Sequence, residues 1–266
     1  MTTETHSEDR IKFLGTAGAR YVMARQLRYS AGTYLELKGR KMILDPGPGT
    51  LLRCARVKPP IDVTGLDAVV LSHAHIDHSG DINAIVDAMT SGGWEKRGSL
   101  FMPSDCLQGE NRILLNYIKN APERVETLEA ESEYNLNGLK FFTSPPLCHD
   151  VETYGLKFET AGGMLGFVID TLYFDGLVDI YSGCRWLVIN VVRLKEYTGH
   201  RKLKHLSLIE AEDLIAGVKP ECAVLTHFGM TVVNNKPWEI AVEMSERLGI
   251  DVRAANDGME LVLADS

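Results

Sequence analysis

The segment Ser72-His73-Ala74-His75-Ile76-Asp77-His78-Ser79-Gly80-Asp81 constrains this chain more than any other. It places three histidines and an aspartate within six residues, directly after the apolar run Val69-Val70-Leu71. A short apolar run of this kind reads as a buried strand, and the loop leaving its end can aim several side chains inward together. Imidazole nitrogens and carboxylate oxygens suit zinc and related first-row ions. In an extended turn His73 and His75 share one face while Asp77 and His78 fall on another, so a single loop can serve two metal positions. The competing explanation is a polar loop whose histidines only hydrogen-bond. It is the weaker one, because the whole chain has just eight histidines.

The rest of the sequence describes an ordinary folded chain of mixed α/β class. Apolar residues make up 45% and charged residues 24% of the 266 positions, which excludes collagen-like, disordered and disulfide-scaffold classes. The longest uninterrupted apolar stretch, Ala161 to Ile169, is nine residues, too short to span a bilayer. The polar, acidic residues 1–10 lack the basic start and apolar core of a secretory signal, so export is not expected. Five scattered cysteines, Cys54, Cys106, Cys148, Cys184 and Cys222, form no C-x-x-C pair. They argue against disulfides and a cysteine zinc knuckle, and a reducing, cytoplasmic setting is expected. With 28 basic and 36 acidic residues the formal charge is −8, which disfavours broad adhesion to nucleic acid or anionic lipid.

Patterning predicts strands at Lys12–Leu14, Thr33–Leu37, Met42–Leu44, Ala68–Ser72, Leu139–Thr143, Gly166–Ile169, Trp186–Asn190, Ala223–Thr226 and Met259–Leu263. Helices are expected at Asp81–Thr90, Asn111–Lys119, Ser207–Gly217 and Pro237–Leu248. No linker-like tract interrupts the chain, so one domain over residues 1–266 is expected. Asp67-Ala-Val-Val-Leu-Ser-His73 and Glu221-Cys-Ala-Val-Leu-Thr-His227 share one grammar: an acid, a buried strand, a small hydroxyl residue and a histidine at the strand end. That echo hints at two similar halves meeting at a common site.

H-x-H-x-D-H after an apolar strand resembles the metallo-β-lactamase-fold hydrolases. Further stations follow in order: Asp45-Pro-Gly-Pro-Gly49, His149, Asp170 and His227. Taken singly, His149 reads equally as a loop histidine, Asp170 as a turn or helix cap, His227 as a core histidine and Asp45 as a turn residue. The resemblance implies an αββα sandwich of two pseudo-duplicated halves with two divalent metal ions at one edge. Zinc is the expected ion, with manganese or iron as alternatives. It implies that His73, His75 and His149 hold the first ion, Asp77, His78 and His227 the second, and that Asp170 bridges them. A hydroxide shared by the ions would then be the nucleophile. Asp45 would support the histidines from behind.

The choice of substrate rests on residues outside that set. Residues 193–205 carry five Lys or Arg side chains and one acid in an otherwise acidic chain, a pattern compatible with an anion site or a solvated basic loop. Ser207-x-x-Glu210 reads as a capping box, so a helix begins just after His205 and its N-terminus is a candidate phosphate seat. In phosphodiesterase branches of the family a histidine at this station assists phosphate binding or leaving-group protonation, and His205 matches it. His200 is a weaker candidate. Asp77 and His205 are therefore the residues expected to act in catalysis. The tRNA-maturing endonucleases commonly carry a long arm between the stations of His149 and Asp170, where this chain has twenty residues. Its size and its ending Asn256-Asp-Gly-Met-Glu260 look more like the cyclic phosphodiesterase of phosphonate breakdown, although that enzyme's N-terminal cysteine cluster is missing after Gly15-Thr-Ala-Gly18. The expectation is a small or cyclic phosphodiester as substrate, without extended nucleic acid or membrane as partner and with a homodimer left open. The alternatives are a thioester or lactam hydrolase on the same fold, or a tRNA-maturing endonuclease.

Overall fold

The alternation of side chains along the strands decides how the chain layers. Ala68 and Val70 pack into one apolar cluster, Val69 and Leu71 into another, and all four are fully buried. The same split separates Phe13 from Leu14, Leu35 from Tyr34, and Phe101 from Leu100 and Met102. A sheet buried on both faces has to be covered on both. The computed structural model, which describes residues 8–30, 32–110, 112–195 and 203–264, meets that requirement with two sheets face to face and helices outside them.

The first sheet runs in the order Glu260–Val262, Arg10–Phe13, Thr33–Leu37, Arg40–Leu44, Ala68–Val70, Ser99–Pro103, Arg124–Leu128. The second runs Asp251–Ala254, Cys222–Thr226, Cys184–Arg193, Met164–Val168, Tyr154–Glu159, Leu139–Pro146, Glu133–Leu136, with Leu206–Ser207 paired to Cys184–Arg193. Phe13, Leu35, Val70 and Phe101 meet Phe141, Phe158, Phe167 and Val188 in the central core. Helices Thr50–Arg56 and Ile82–Met89 cover the first sheet through Cys54, Ile82, Ile85, Val86 and Met89. Helices Leu208–Val218 and Pro237–Leu248 cover the second through Ala211, Leu214, Ile215, Ala241 and Met244. The result is the expected αββα sandwich. Among the described residues no helix is long and apolar enough to cross a membrane.

Parallel strands place the site. Arg40–Leu44, Ala68–Val70 and Ser99–Pro103 run parallel in one sheet, and Met164–Val168, Cys184–Arg193 and Cys222–Thr226 run parallel in the other. Ligands of α/β sheets gather at carboxyl ends of such strands. Asp45, Ser72, His73, Asp170 and His227 all lie one to three residues beyond those ends.

The helix expected at Pro237–Leu248 has those bounds, and Ile82–Met89 and Leu208–Val218 match their expectations within one residue. The helix expected over Asn111–Lys119 does not form, since residues 112–119 pass through turns. Leu114 and Ile118 are buried, as their spacing suggests. However, the Asn83 carboxamide donates to the Ile113 carbonyl at 3.0 Å and accepts the Leu115 N–H at 2.9 Å. A side chain from another helix thus takes main-chain groups that a helix would otherwise pair.

Candidate metal centre

The first histidine is positioned by a relay that starts on the neighbouring strand. Asp45, one residue past Arg40–Leu44 and at φ +52°, accepts the Ser72 N–H and the Ser72 hydroxyl, each at 2.7 Å. Because that hydroxyl gives its proton to Asp45, its oxygen accepts the Nδ1 proton of His73, 2.9 Å away. His73 is left with a lone pair on Nε2, fully buried, without a hydrogen-bond partner and 3.8 Å from Asp170 Oδ2. Burial, with the neighbouring imidazoles, pushes the His73 pKa well below its usual value, so the ring stays neutral.

His149 follows the same logic by another route. Its Nδ1 donates to the Lys204 carbonyl at 2.9 Å, which turns the Nε2 lone pair toward His75 Nδ1 at 3.0 Å. Burial lowers its pKa to about 4. His78 donates from Nδ1 to Asp45 at 2.9 Å, and its Nε2 stands 2.9 Å from His227 Nε2 and 3.4 Å from Asp170 Oδ2. Burial opposes charge on His78, but Asp45, Asp170 and Asp77 overcome it and raise the pKa well above the ordinary range. Burial likewise works against ionised Asp77, yet His78 and His227 hold its pKa below the usual carboxylate range. His227 sits at φ +59°, with Nε2 3.4 Å from Asp77 and a buried, unpartnered Nδ1 3.4 Å from Asp170 Oδ1.

These donors fall into two groups, His73, His75, His149 and Asp170 in one and Asp77, His78 and His227 in the other, each with its ligand atoms within 4.8 Å of one another. Buried ring nitrogens without partners, aimed at carboxylates, are the arrangement a divalent cation satisfies. The residues fit metal ions. Asp45 also meets His73 and His78 within that distance, but its oxygens are engaged by Ser72 and His78, which makes it a support for the histidines.

All seven donors predicted from sequence are thus brought together, and His205 joins them. Its Nε2 lies 3.1 Å from Asp170 Oδ2, its ring is stacked toward His227, and its Nδ1 is buried without a partner. Burial lowers its pKa, and Asp170 more than offsets this, so the net shift is upward.

Two expectations concern the surroundings of His205. The capping box forms, but the Glu210 carboxylate itself accepts the Ser207 N–H and hydroxyl at 2.6 and 2.7 Å, and Ser207 is fully buried. The Glu210 carboxylate thus already stands at the helix start, where its like charge opposes a bound anion. Of the basic segment, Arg193 donates to the His205 carbonyl, while Lys204 donates to the His149 carbonyl at 2.8 Å and pairs with Asp150. Both brace the site's backbone. His200, Arg201 and Lys202 lie outside the described residues.

Sequence reading missed Asn190, whose Nδ2 donates to Asp170 Oδ1 at 2.9 Å and fixes the carboxylate's orientation. Its signal was available: one amide within the otherwise apolar run Trp186–Val192. It missed Gly18 as well. A Cβ there would lie 2.1 Å from the His227 carbonyl oxygen and 2.4 Å from Nδ1, so only glycine admits this approach.

The fold and the donor set define a metallohydrolase of the metallo-β-lactamase type. The chain belongs to the beta-lactamase superfamily, whose domain model matches residues 40–228. An uncharacterized protein of Methanocaldococcus jannaschii is 29% identical over 258 residues, covering 95% of this chain and 94% of its own. A ribonuclease Z of Methanopyrus kandleri is 35% identical over 68 residues, 26% of this chain and 23% of that protein. The crystal structure of a diphosphatase from the PhnP family superposes with a TM-score of 0.69 at 20% identity, over 96% of this chain and 98% of that one.

Proposed function

We propose that the chain is a dinuclear metal-dependent phosphodiesterase acting on small or cyclic phosphodiesters. His73, His75 and His149 would hold one ion and Asp77, His78 and His227 the other, with Asp170 as the carboxylate they would share. When bound, the ions supply Lewis acidity and a water of lowered pKa. The chain's own residues do the rest. Asn190 holds Asp170 Oδ1, which leaves Oδ2 facing His73, His78 and His205. His205 keeps a proton on Nε2 toward Asp170 and can pass it to a departing alkoxide. The observation that carries the reading is this eighth group: an imidazole outside both donor groups, 3.1 Å from the bridging carboxylate. A thioester or lactam hydrolase has no use for it. The similarity to the Methanopyrus kandleri ribonuclease Z and the PhnP-family diphosphatase, both by name enzymes that act at phosphorus, supports the same class.

The test is His205→Ala. It should retain full metal content, lose about 10²–10⁴ in kcat on an ester with a poor alkoxide leaving group, and lose less on a p-nitrophenyl phosphodiester. Unchanged activity on both esters, together with turnover of a thioester or nitrocefin, would sink the proposal. A much larger kcat/KM on precursor tRNA would move the chain to the endonuclease branch. Elemental analysis after incubation with zinc or manganese should find two ions per chain, and Asp170→Asn should weaken both.

A further inference from the structure

Asn256-Asp-Gly-Met-Glu260 supplies no donor to the centre, yet its aspartate anchors the backbone on which His227 rests. We infer that Asp257, with Thr16 and Arg28, positions His227, the member of the second donor group that these contacts reach, for its ion. The inference rests on the dinuclear reading above.

Asp257 joins two segments. Its Oδ1 accepts the Thr16 hydroxyl at 2.7 Å and its Oδ2 accepts the Tyr29 N–H at 2.9 Å. Arg28 donates to the Thr16 hydroxyl oxygen at 2.9 Å and to the Ala255 carbonyl at 2.8 Å, and its guanidinium lies over the Phe228 ring, 5.0 Å from the centroid. From Thr16 the connection continues through the backbone. The Thr16 carbonyl accepts the Phe228 N–H at 2.8 Å, and the Phe228 carbonyl accepts the Gly18 N–H at 3.0 Å. Residues 16–18 are thereby fastened along Phe228, the residue after His227, with Gly18 against the His227 carbonyl and ring.

This fastening has a physical task. A non-glycine residue at φ +59° is strained and persists only where its surroundings over-determine it. Around His227 those surroundings are Thr16–Gly18 and Phe228, and Asp257 and Arg28 hold them from outside. None of the contacts just described reaches His73, His75 or His149, so loss of the anchor should be felt at one ion and not the other. Asp257 is a positioning residue.

Calorimetric titration of metal-free protein with Zn²⁺ tests this, with thermal unfolding of the same metal-free samples alongside. Wild type should take up two ions. Asp257→Ala and Thr16→Val should bind the first ion unchanged and the second about 10–100-fold more weakly, the range seen when groups behind metal ligands are lost. Thr16→Ser, which keeps the hydroxyl, should restore the second site. Unchanged binding of both ions in Asp257→Ala and Thr16→Val would overturn the inference, as would a Thr16→Ser protein that behaves like Thr16→Val. Equal weakening of both ions in step with a lowered Tm would overturn it too, since that is general destabilisation. Fewer than two ions in wild type would instead bring down the dinuclear reading and this inference with it, an outcome visible before any substitution is made.

Discussion

The strand ends at His73 and His227 share a sequence grammar and are held by opposite means. Both follow a fully buried strand and a small hydroxyl residue, and both deliver an imidazole to the same cluster. At His73 the work is done by side chains: Ser72 relays Asp45, and the tautomer follows from that relay. At His227 it is done by backbone: a left-handed φ, a glycine too close for any side chain, and main-chain hydrogen bonds on either side of Phe228. The Thr226 hydroxyl, the counterpart of Ser72, makes no hydrogen bond among the described residues, and Thr226 lines a small, partly open pocket of about 30 Å³. Equivalent local sequence therefore brings a ligand to the sheet edge, and the neighbouring strand decides how it is aimed.

The contrast can be broken most severely at Asp45. Asp45→Ala strands three buried donors, the Ser72 N–H, the Ser72 hydroxyl and the His78 Nδ1–H. The metal-free protein should lose about 3–5 kcal/mol, measured by urea unfolding, and uptake of both ions should suffer. An Asp45→Ala protein that binds both ions normally would show that the side-chain relay is dispensable.

Gly18→Ala attacks the other strand end. The added methyl overlaps the His227 carbonyl and ring, so the second ion should be lost while the first is retained, at a stability cost of about 1–3 kcal/mol. Elemental analysis showing two ions per chain would count against backbone control of His227. The smallest effects come from the paired hydroxyls. Ser72→Ala should cost about 1 kcal/mol and weaken the first ion roughly tenfold, because the Nδ1 proton of His73 loses its acceptor. Thr226→Val, at the matching position, should change stability by less than about 0.5 kcal/mol and leave metal binding intact. Equal responses of the two hydroxyl variants would erase the distinction between the strand ends.

Much of this arrangement was legible in the residues. H-x-H-x-D-H behind an apolar run, with His149, Asp170 and His227 following in order, named all the donors that the two groups contain. Periodic apolar positions located the helices over Ile82–Met89, Leu208–Val218 and Pro237–Leu248. The failure over residues 111–119 came where a distant partner overrides a local signal. Asn83 captures the backbone of residues 113–115, which removes the helix that their spacing suggests.

The sequence alone determined which atoms can bind a cation and that strand ends present them, because side-chain chemistry and strand periodicity are local properties. Only the tertiary structure decided which nitrogen of each imidazole faces the centre, that Asn190 turns Asp170, that Lys204 braces His149 and that Asp257 anchors the loop against His227. Each of these depends on a contact between segments remote along the chain, up to the sequence separation of 241 between Thr16 and Asp257. Such contacts exist only after the two sheets have packed and brought their carboxyl edges together.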